Sequence, residues 1–102
     1  MNLVTPEELL ELRRDALPVT VYLKERLRNR EDRRRVLVPF SIRLRDLKLE
    51  ECRANGTTPR YVGQLDRPQI LYMKADRPLM DRAFAQTVAV TATPDIRSYF
   101  RF

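Results

Sequence analysis

The 102-residue sequence contains no histidine, only one cysteine and only two glycines. Without histidine, the chain lacks the commonest general acid–base group and metal ligand. One cysteine and no histidine exclude an intrachain disulfide and a zinc site built from those residues within one chain. Gly56 and Gly63 lie seven residues apart, which excludes a glycine-rich phosphate loop. We therefore expect a protein that is not an enzyme and binds no cofactor and no metal.

Long apolar runs are also missing from the sequence. No run approaches the roughly 20 residues that span a bilayer. The chain opens with MNLVTPEELLEL, where acidic residues appear at once in place of a basic and then apolar leader. The single cysteine, Cys52, gives no sign of an oxidising compartment. We expect a cytoplasmic protein, or one assembled in a cytosol as part of a virion, with no membrane partner and no small-molecule substrate.

Basic residues, and arginine above all, are abundant. Lysine and arginine total 20 against 14 acidic residues, which gives a net charge of +6, and 17 of the basic residues are arginines. The arginine side chain forks onto carboxylates and phosphates and tolerates interfaces better than lysine does. This composition indicates an acidic partner, either nucleic acid or a negatively charged protein surface. A compositional bias of the genome is the alternative explanation.

Residues 19–44 contain two stretches in which apolar and polar residues alternate. A connection over residues 29–32 would fold these stretches into an antiparallel β-hairpin. One face of that hairpin carries six apolar side chains, those of Val19, Val21, Leu23, Val38, Phe40 and Ile42. The other face places Arg26 beside Arg35 and Arg28 beside Arg33, and like charges directly opposite are destabilising. A bound anionic surface would relieve this repulsion.

An alternative helix and the position of Pro39 both affect the hairpin prediction. The alternative is a helix over residues 23–35, in which Glu31 and Arg35 form an ion pair four residues apart. In the hairpin, Pro39 must lie at an edge or a bulge because proline cannot donate to a strand ladder. The second strand would then be locally open to a partner strand.

The predicted fold is a small α+β domain, mostly antiparallel sheet, in which the long hairpin is packed by two or three short helices. The length is that of one domain. Thr5, Pro6 and Glu8 form a capping-box pattern that starts a first helix. Beside the hairpin at 19–44, we predict helices over 6–15, 46–54 and 77–85, strands over 70–74 and 87–92, and an aromatic C-terminal tail over 96–102.

Two functional hypotheses follow from these patterns. The first is an interaction or assembly subunit of a larger complex, such as a viral or phage structural or inhibitory protein. The alternative is a small basic protein that binds nucleic acid phosphates. Both use the same predicted partner contacts, which are Arg26, Arg28, Arg30, Arg33, Arg34, Arg35 and Tyr22. The first hypothesis adds a docking tail with Tyr99, Phe100 and Phe102, and it includes a homo-oligomer as a form of the complex.

Overall fold

The computed structural model describes residues 3–64 and 66–91. Four α-helices dominate this part of the chain: α1 (Pro6–Leu12), α2 (Val19–Arg26), α3 (Arg30–Asn55) and α4 (Arg77–Thr91). A two-stranded antiparallel sheet of β1 (Tyr61–Gln64) and β2 (Arg67–Ile70) follows α3. A 3-10 turn over Lys74–Asp76 leads into α4. None of α1 to α4 combines the length and the hydropathy that a membrane crossing requires.

The prediction of a long β-hairpin over residues 19–44 is wrong, and so is the mostly antiparallel fold class built on it. These residues form α2 and the first half of α3. The unbroken helix over residues 23–35 is also wrong, because Leu27 has an extended backbone and ends α2. Asn29 then caps α3, since its side chain accepts a hydrogen bond from the backbone N–H of Glu31 at 2.8 Å.

The core explains why these residues are helical. Val36, Phe40, Leu44 and Leu47 are buried along α3 and recur every three or four residues, which is the spacing of one helix face. The other side chains of this hydrophobic core are those of Leu17, Tyr22, Leu23, Leu27, Tyr72, Leu79, Met80, Ala83, Phe84 and Val88. Packing of this face against α2 and α4 buries more apolar surface than a two-stranded ribbon would.

Three aromatic rings join the three longest helices at the centre of the core. The rings of Tyr22 and Phe40 stack with their centroids 5.5 Å apart. The ring of Phe84 meets both of them edge-on at 6.2 Å. Stacked and edge-to-face contacts at these distances are favourable aromatic geometries. Each of α2, α3 and α4 thus contributes one ring to a shared centre.

The predicted apolar face of the hairpin does not exist as a single face. Leu23 and Phe40 are buried, whereas Val21, Val38 and Ile42 are exposed. Pro39, predicted at a strand edge or bulge, lies inside α3. A proline there removes the N–H that would bond to the carbonyl of Arg35. Because Arg35 is exposed, water can satisfy that carbonyl.

Local signals are visible at the ends of α1 and α3. The hydroxyl of Thr5 accepts a hydrogen bond from the backbone N–H of Glu8 at 3.2 Å, which forms the capping box at the start of α1. This helix ends at Leu12, before the predicted end at residue 15. The predicted helix over 46–54 is the last part of α3. It stops at Gly56, whose φ of 67° is a left-handed conformation that glycine adopts at low cost.

The predictions for the chain after residue 70 agree with the structure only in part. The strand predicted over 87–92 is wrong, since α4 continues to Thr91, and residue 92 lies outside the described residues. Thr87 and Val88 are both buried, as neighbours on a packed helix can be. The predicted strand over 70–74 overlaps β2 only at Ile70, and the predicted helix over 77–85 coincides with the first part of α4. The tail over 96–102, with Tyr99, Phe100 and Phe102, lies outside the described residues.

Candidate partner-binding groove

An open groove of about 210 Å³ lies between α2 and the first turns of α3. The short connection over residues 27–29 allows both helices to line it. Four basic side chains, two leucines and one threonine form this cationic groove: Thr20, Leu23, Lys24, Arg30, Arg33, Arg34 and Leu37. The groove therefore combines an apolar surface with several positive charges.

Helical spacing explains how these residues come together. Leu23 and Lys24 lie three and four residues after Thr20 on α2, so both share one side of that helix with Thr20. On α3 the residues at positions 30, 33, 34 and 37 follow the same rule. Leu23 is buried and Leu37 is exposed, so the apolar part of the groove continues from the core to the surface.

The Arg33 side chain stabilises the backbone beside the groove, because its guanidinium is hydrogen-bonded within the chain. Its Nη1 donates to the carbonyl of Leu27 at 2.8 Å and to the carbonyl of Arg28 at 2.9 Å. Carbonyls that follow the end of a helix lack an intrahelical partner, and a guanidinium is well suited to bind two of them. Arg33 thereby fixes the turn between α2 and α3, on which the position of the groove depends.

The other three cations of the groove are available to a partner. Arg34 approaches Glu31 at 3.7 Å, but both side chains are mostly exposed, and such pairs contribute little to stability. The side chains of Lys24 and Arg30 make no hydrogen bond and no ion pair with residues 3–64 or 66–91. An anion that enters the groove would therefore not need to displace a strong internal partner.

The charge distribution around the groove opposes helix stability. Between Lys24 and Arg35 the chain has seven basic and three acidic residues, which is +4 of the net charge of +6. The start of α3 carries several of these arginines, although the positive end of the helix dipole favours acidic groups. Asn29, Glu31 and Asp32 offset part of this repulsion. A bound anionic group would offset more of it.

The structure brings only some of the predicted contact residues together. Arg30, Arg33 and Arg34 line the groove. Arg28 lies in the connection between the helices, and Arg35 is exposed on α3. Arg26 faces α4 instead, where its guanidinium lies 4.7 Å from the centroid of the Phe84 ring.

Tyr22 is not available to a partner. Its side chain is fully buried in the aromatic centre, and its hydroxyl donates to Oδ1 of Asp81 at 2.5 Å. Burial, and then the hydrogen bond to Asp81, raise the pKa of the Tyr22 hydroxyl far above its ordinary value. The sequence interpretation of Tyr22 as an exposed contact residue is therefore wrong.

Sequence reasoning missed several residues of this surface. Lys24 and Leu37 line the groove, but neither is among the contact residues predicted from the sequence. Leu37, Val38 and Ile42 form an exposed apolar stripe on α3, and Val38 is 62% exposed. The spacing of positions 30, 34, 37, 38 and 42 is the signal that a helical interpretation would have used.

Other chemistry is sparse in the described part of the chain. Among residues 3–64 and 66–91, no three histidine, cysteine, aspartate or glutamate side chains cluster in a way that could hold a metal ion. The thiol of Cys52 is free and buried. Comparisons of this chain with protein-family models, with curated proteins and with solved structures find no match.

Proposed function

We propose that this chain is a non-enzymatic interaction or assembly subunit of the cytosol that binds an acidic segment of a protein partner in the cationic groove. The observation that supports the proposal is the juxtaposition of apolar and basic side chains in one groove. A partner with both carboxylates and aliphatic side chains complements both components of that surface.

The size of the groove suits one inserted side chain. An apolar cavity of about 150 Å³ accommodates benzene, so the groove, at about 210 Å³, has room for a leucine or isoleucine side chain. Carboxylates beside that side chain would reach Lys24, Arg30 and Arg34, and charge-assisted hydrogen bonds of this kind are the strong ones. The exposed stripe next to Leu37 extends the apolar surface beyond the groove.

The same observations favour protein over nucleic acid as the partner. Proteins that bind single-stranded nucleic acid place aromatic rings where bases can stack, and none of the described residues that line the groove is aromatic. Tyr22, the aromatic residue nearest in sequence, is buried. Phosphate contacts alone would require no apolar lining. The following experiment therefore distinguishes the binding of an acidic peptide from the binding of nucleic acid.

Selection from a displayed library of random peptides tests the proposal. We expect the selected peptides to be rich in aspartate and glutamate around one large aliphatic residue. The triple variant K24E/R30E/R34E should bind them at least about tenfold more weakly, since two or three charge-assisted contacts are lost. The matched control, R43E/R60E/R82E, changes the net charge equally at arginines that lie outside the groove and are exposed. Its affinity should stay within about twofold of the original.

Two results would contradict the proposal. One is a set of selected peptides without an acidic excess, or with equal affinity for the groove variant. The other is groove-dependent binding of single-stranded or duplex DNA without any binding of acidic peptides. A linear fall of log affinity with log salt concentration would then identify phosphate contacts. Circular dichroism of both triple variants shows whether their helices are intact.

A further inference from the structure

We infer that the segment bound in the cationic groove is helix α1 of a second copy of this chain, so that copies associate head to tail. This inference rests on the proposed function, because it requires the groove to bind an acidic protein segment. It adds the identity of the partner, which is the chain itself. The inference depends on two different surfaces of one molecule, the cationic groove and helix α1. Both surfaces consist of described residues.

Helix α1 has the composition that the groove should select. None of its residues is buried, and Leu10 is 70% exposed while Leu9 is 40% exposed. The helix carries Glu7, Glu8 and Glu11 and no basic residue. Helix α1 therefore presents two large aliphatic side chains to solvent together with only acidic charges.

The positions of these side chains on α1 match the groove. Residues three and four apart share a helix face, so Glu7 lies beside both Leu10 and Glu11. Glu8 is engaged in the capping box with Thr5, which leaves Glu7 and Glu11 as the two carboxylates for a partner. Leu10 would enter the groove beside its two leucines. The carboxylates of Glu7 and Glu11 would then meet the exposed cations of the rim, Lys24, Arg30 and Arg34.

The α1 helix of the same copy does not fill the groove. No residue of α1 lines it. The chain is held just before α1 by a hydrogen bond from the N–H of Val4 to the carbonyl of Tyr61 at 2.8 Å. It is held again after α1 by a bond from the N–H of Leu17 to the carbonyl of Tyr72 at 2.9 Å. Both anchors are on residues around the small sheet, so an α1 helix that enters the groove would come from a second copy.

Charge also argues against the aromatic C-terminal segment as the occupant. Residues 96–102 contain Arg97 and Arg101 and no acidic residue. Their charge has the same sign as that of the groove, whereas the charge of α1 has the opposite sign. A groove on one copy and a helix on the next form a heterologous contact. Repetition of that contact generates an open filament or a closed ring.

Sedimentation velocity over about 5 to about 500 µM protein tests this inference, because a small interface of this kind associates in the micromolar range or weaker. We expect the mass of the original chain to rise past that of a dimer with concentration, and association to weaken from about 50 to about 500 mM salt. The variant L10D, changed at an exposed position of α1, should remain a monomer. So should the groove variant K24E/R34E.

Mixing these two variants gives the decisive result. L10D has an intact groove, and K24E/R34E has an intact α1. Together they should form a one-to-one heterodimer that grows no further, since each copy has one blocked surface. A symmetric interface, in which both copies use the same surface, would give no such rescue. The control variant R43E/R60E should associate like the original chain.

The outcomes distinguish this inference from the proposed function. The inference is wrong if the original chain stays monomeric at every concentration, or if L10D associates as the original does. If L10D and the original chain also bind the selected acidic peptides equally, the proposed function stands while the self-association fails. If association persists in K24E/R34E, and this variant also keeps its affinity for the peptides, both are wrong.

Discussion

At the scale of single residues, the Tyr22 side chain shows how the fold uses polar groups inside its core. The hydroxyl of Tyr22 is removed from water and has one strong partner, the carboxylate of Asp81. Arg26 also approaches that carboxylate at 3.9 Å, from the surface side. A buried hydroxyl without such a partner would cost free energy. The three residues therefore connect α2 to α4 at the edge of the aromatic centre.

The ionisation of Tyr22 predicts a loss of stability in alkali. Burial raises the pKa of Tyr22, and burial, followed by the charge of Asp76, also raises the pKa of Tyr72. Below the unfolded value of about 10 both states hold neutral hydroxyls, and the preference of the fold for them is fully present. Above it the unfolded chain ionises first, so the free energy of unfolding should fall as pH rises.

Urea unfolding at a series of pH values from about 7 to about 11.5 measures this effect. We expect a steep decline above about pH 10 in the original chain and a shallower one in Y22F/Y72F. The variant Y61F removes a tyrosine that is only partly buried, and it should decline as steeply as the original. Equal slopes for Y22F/Y72F and the original chain would contradict this account.

At the scale of elements, one buried ion pair fastens α3 to the turn before α4. Nζ of Lys48 lies 2.7 Å from Oδ1 of Asp76, and these side chains are 17% and 8% exposed. The other oxygen of Asp76 accepts a hydrogen bond from the backbone N–H of Met73 at 2.9 Å. The carboxylate is therefore satisfied from two sides, as a buried charge must be.

Removal of the lysine should be costly because it leaves a buried carboxylate without its counter-ion. We expect K48M to lower the free energy of unfolding by about 3 kcal/mol or more. The control R45M breaks the pair between Arg45 and Asp46, which is 3.9 Å long and exposed. That change should cost less than about 1 kcal/mol. Chemical denaturation followed by circular dichroism measures both, and similar losses in the two variants would refute the argument.

Elements with strong local signals were predictable from the sequence, whereas those decided by distant contacts were not. The start of α1 depends on Thr5 and Glu8, which are neighbours on the chain. The state of residues 19–44 depends on contacts among Tyr22, Phe40 and Phe84, which are far apart in sequence. The alternation of β-branched residues suggested strands, and tertiary packing overrode that preference.

The candidate groove was predictable only as a run of charge. Arg30, Arg33 and Arg34 stood out because basic residues are dense there. The participation of Lys24 and Leu37 depends on how α2 and α3 pack, which no local window contains. In a strand, the α3 residues that share one side of the helix would lie on two opposite faces. The positive charge of the groove could therefore be inferred from the sequence, but its apolar part could not.

At the scale of the whole molecule, the described helices fall into two classes. Helices α2, α3 and α4 meet in one core and share its aromatic centre, so they should unfold together. Helix α1 buries none of its residues. A helix of seven residues is too short to be stable without packing, so α1 should open locally at a small fraction of the global free energy.

Hydrogen exchange measured by mass spectrometry tests this division and its link to assembly. In dilute solution we expect the amides of α1 to exchange much faster than those of α3 between Phe40 and Leu47. As the concentration rises, docking of α1 into a neighbouring groove should slow exchange in α1 and around the groove together, since one contact protects both. In L10D neither region should respond to concentration. Protection of α1 equal to that of α3 in dilute solution would place α1 inside the cooperative core, and its exposed leucines and glutamates would then need a different explanation.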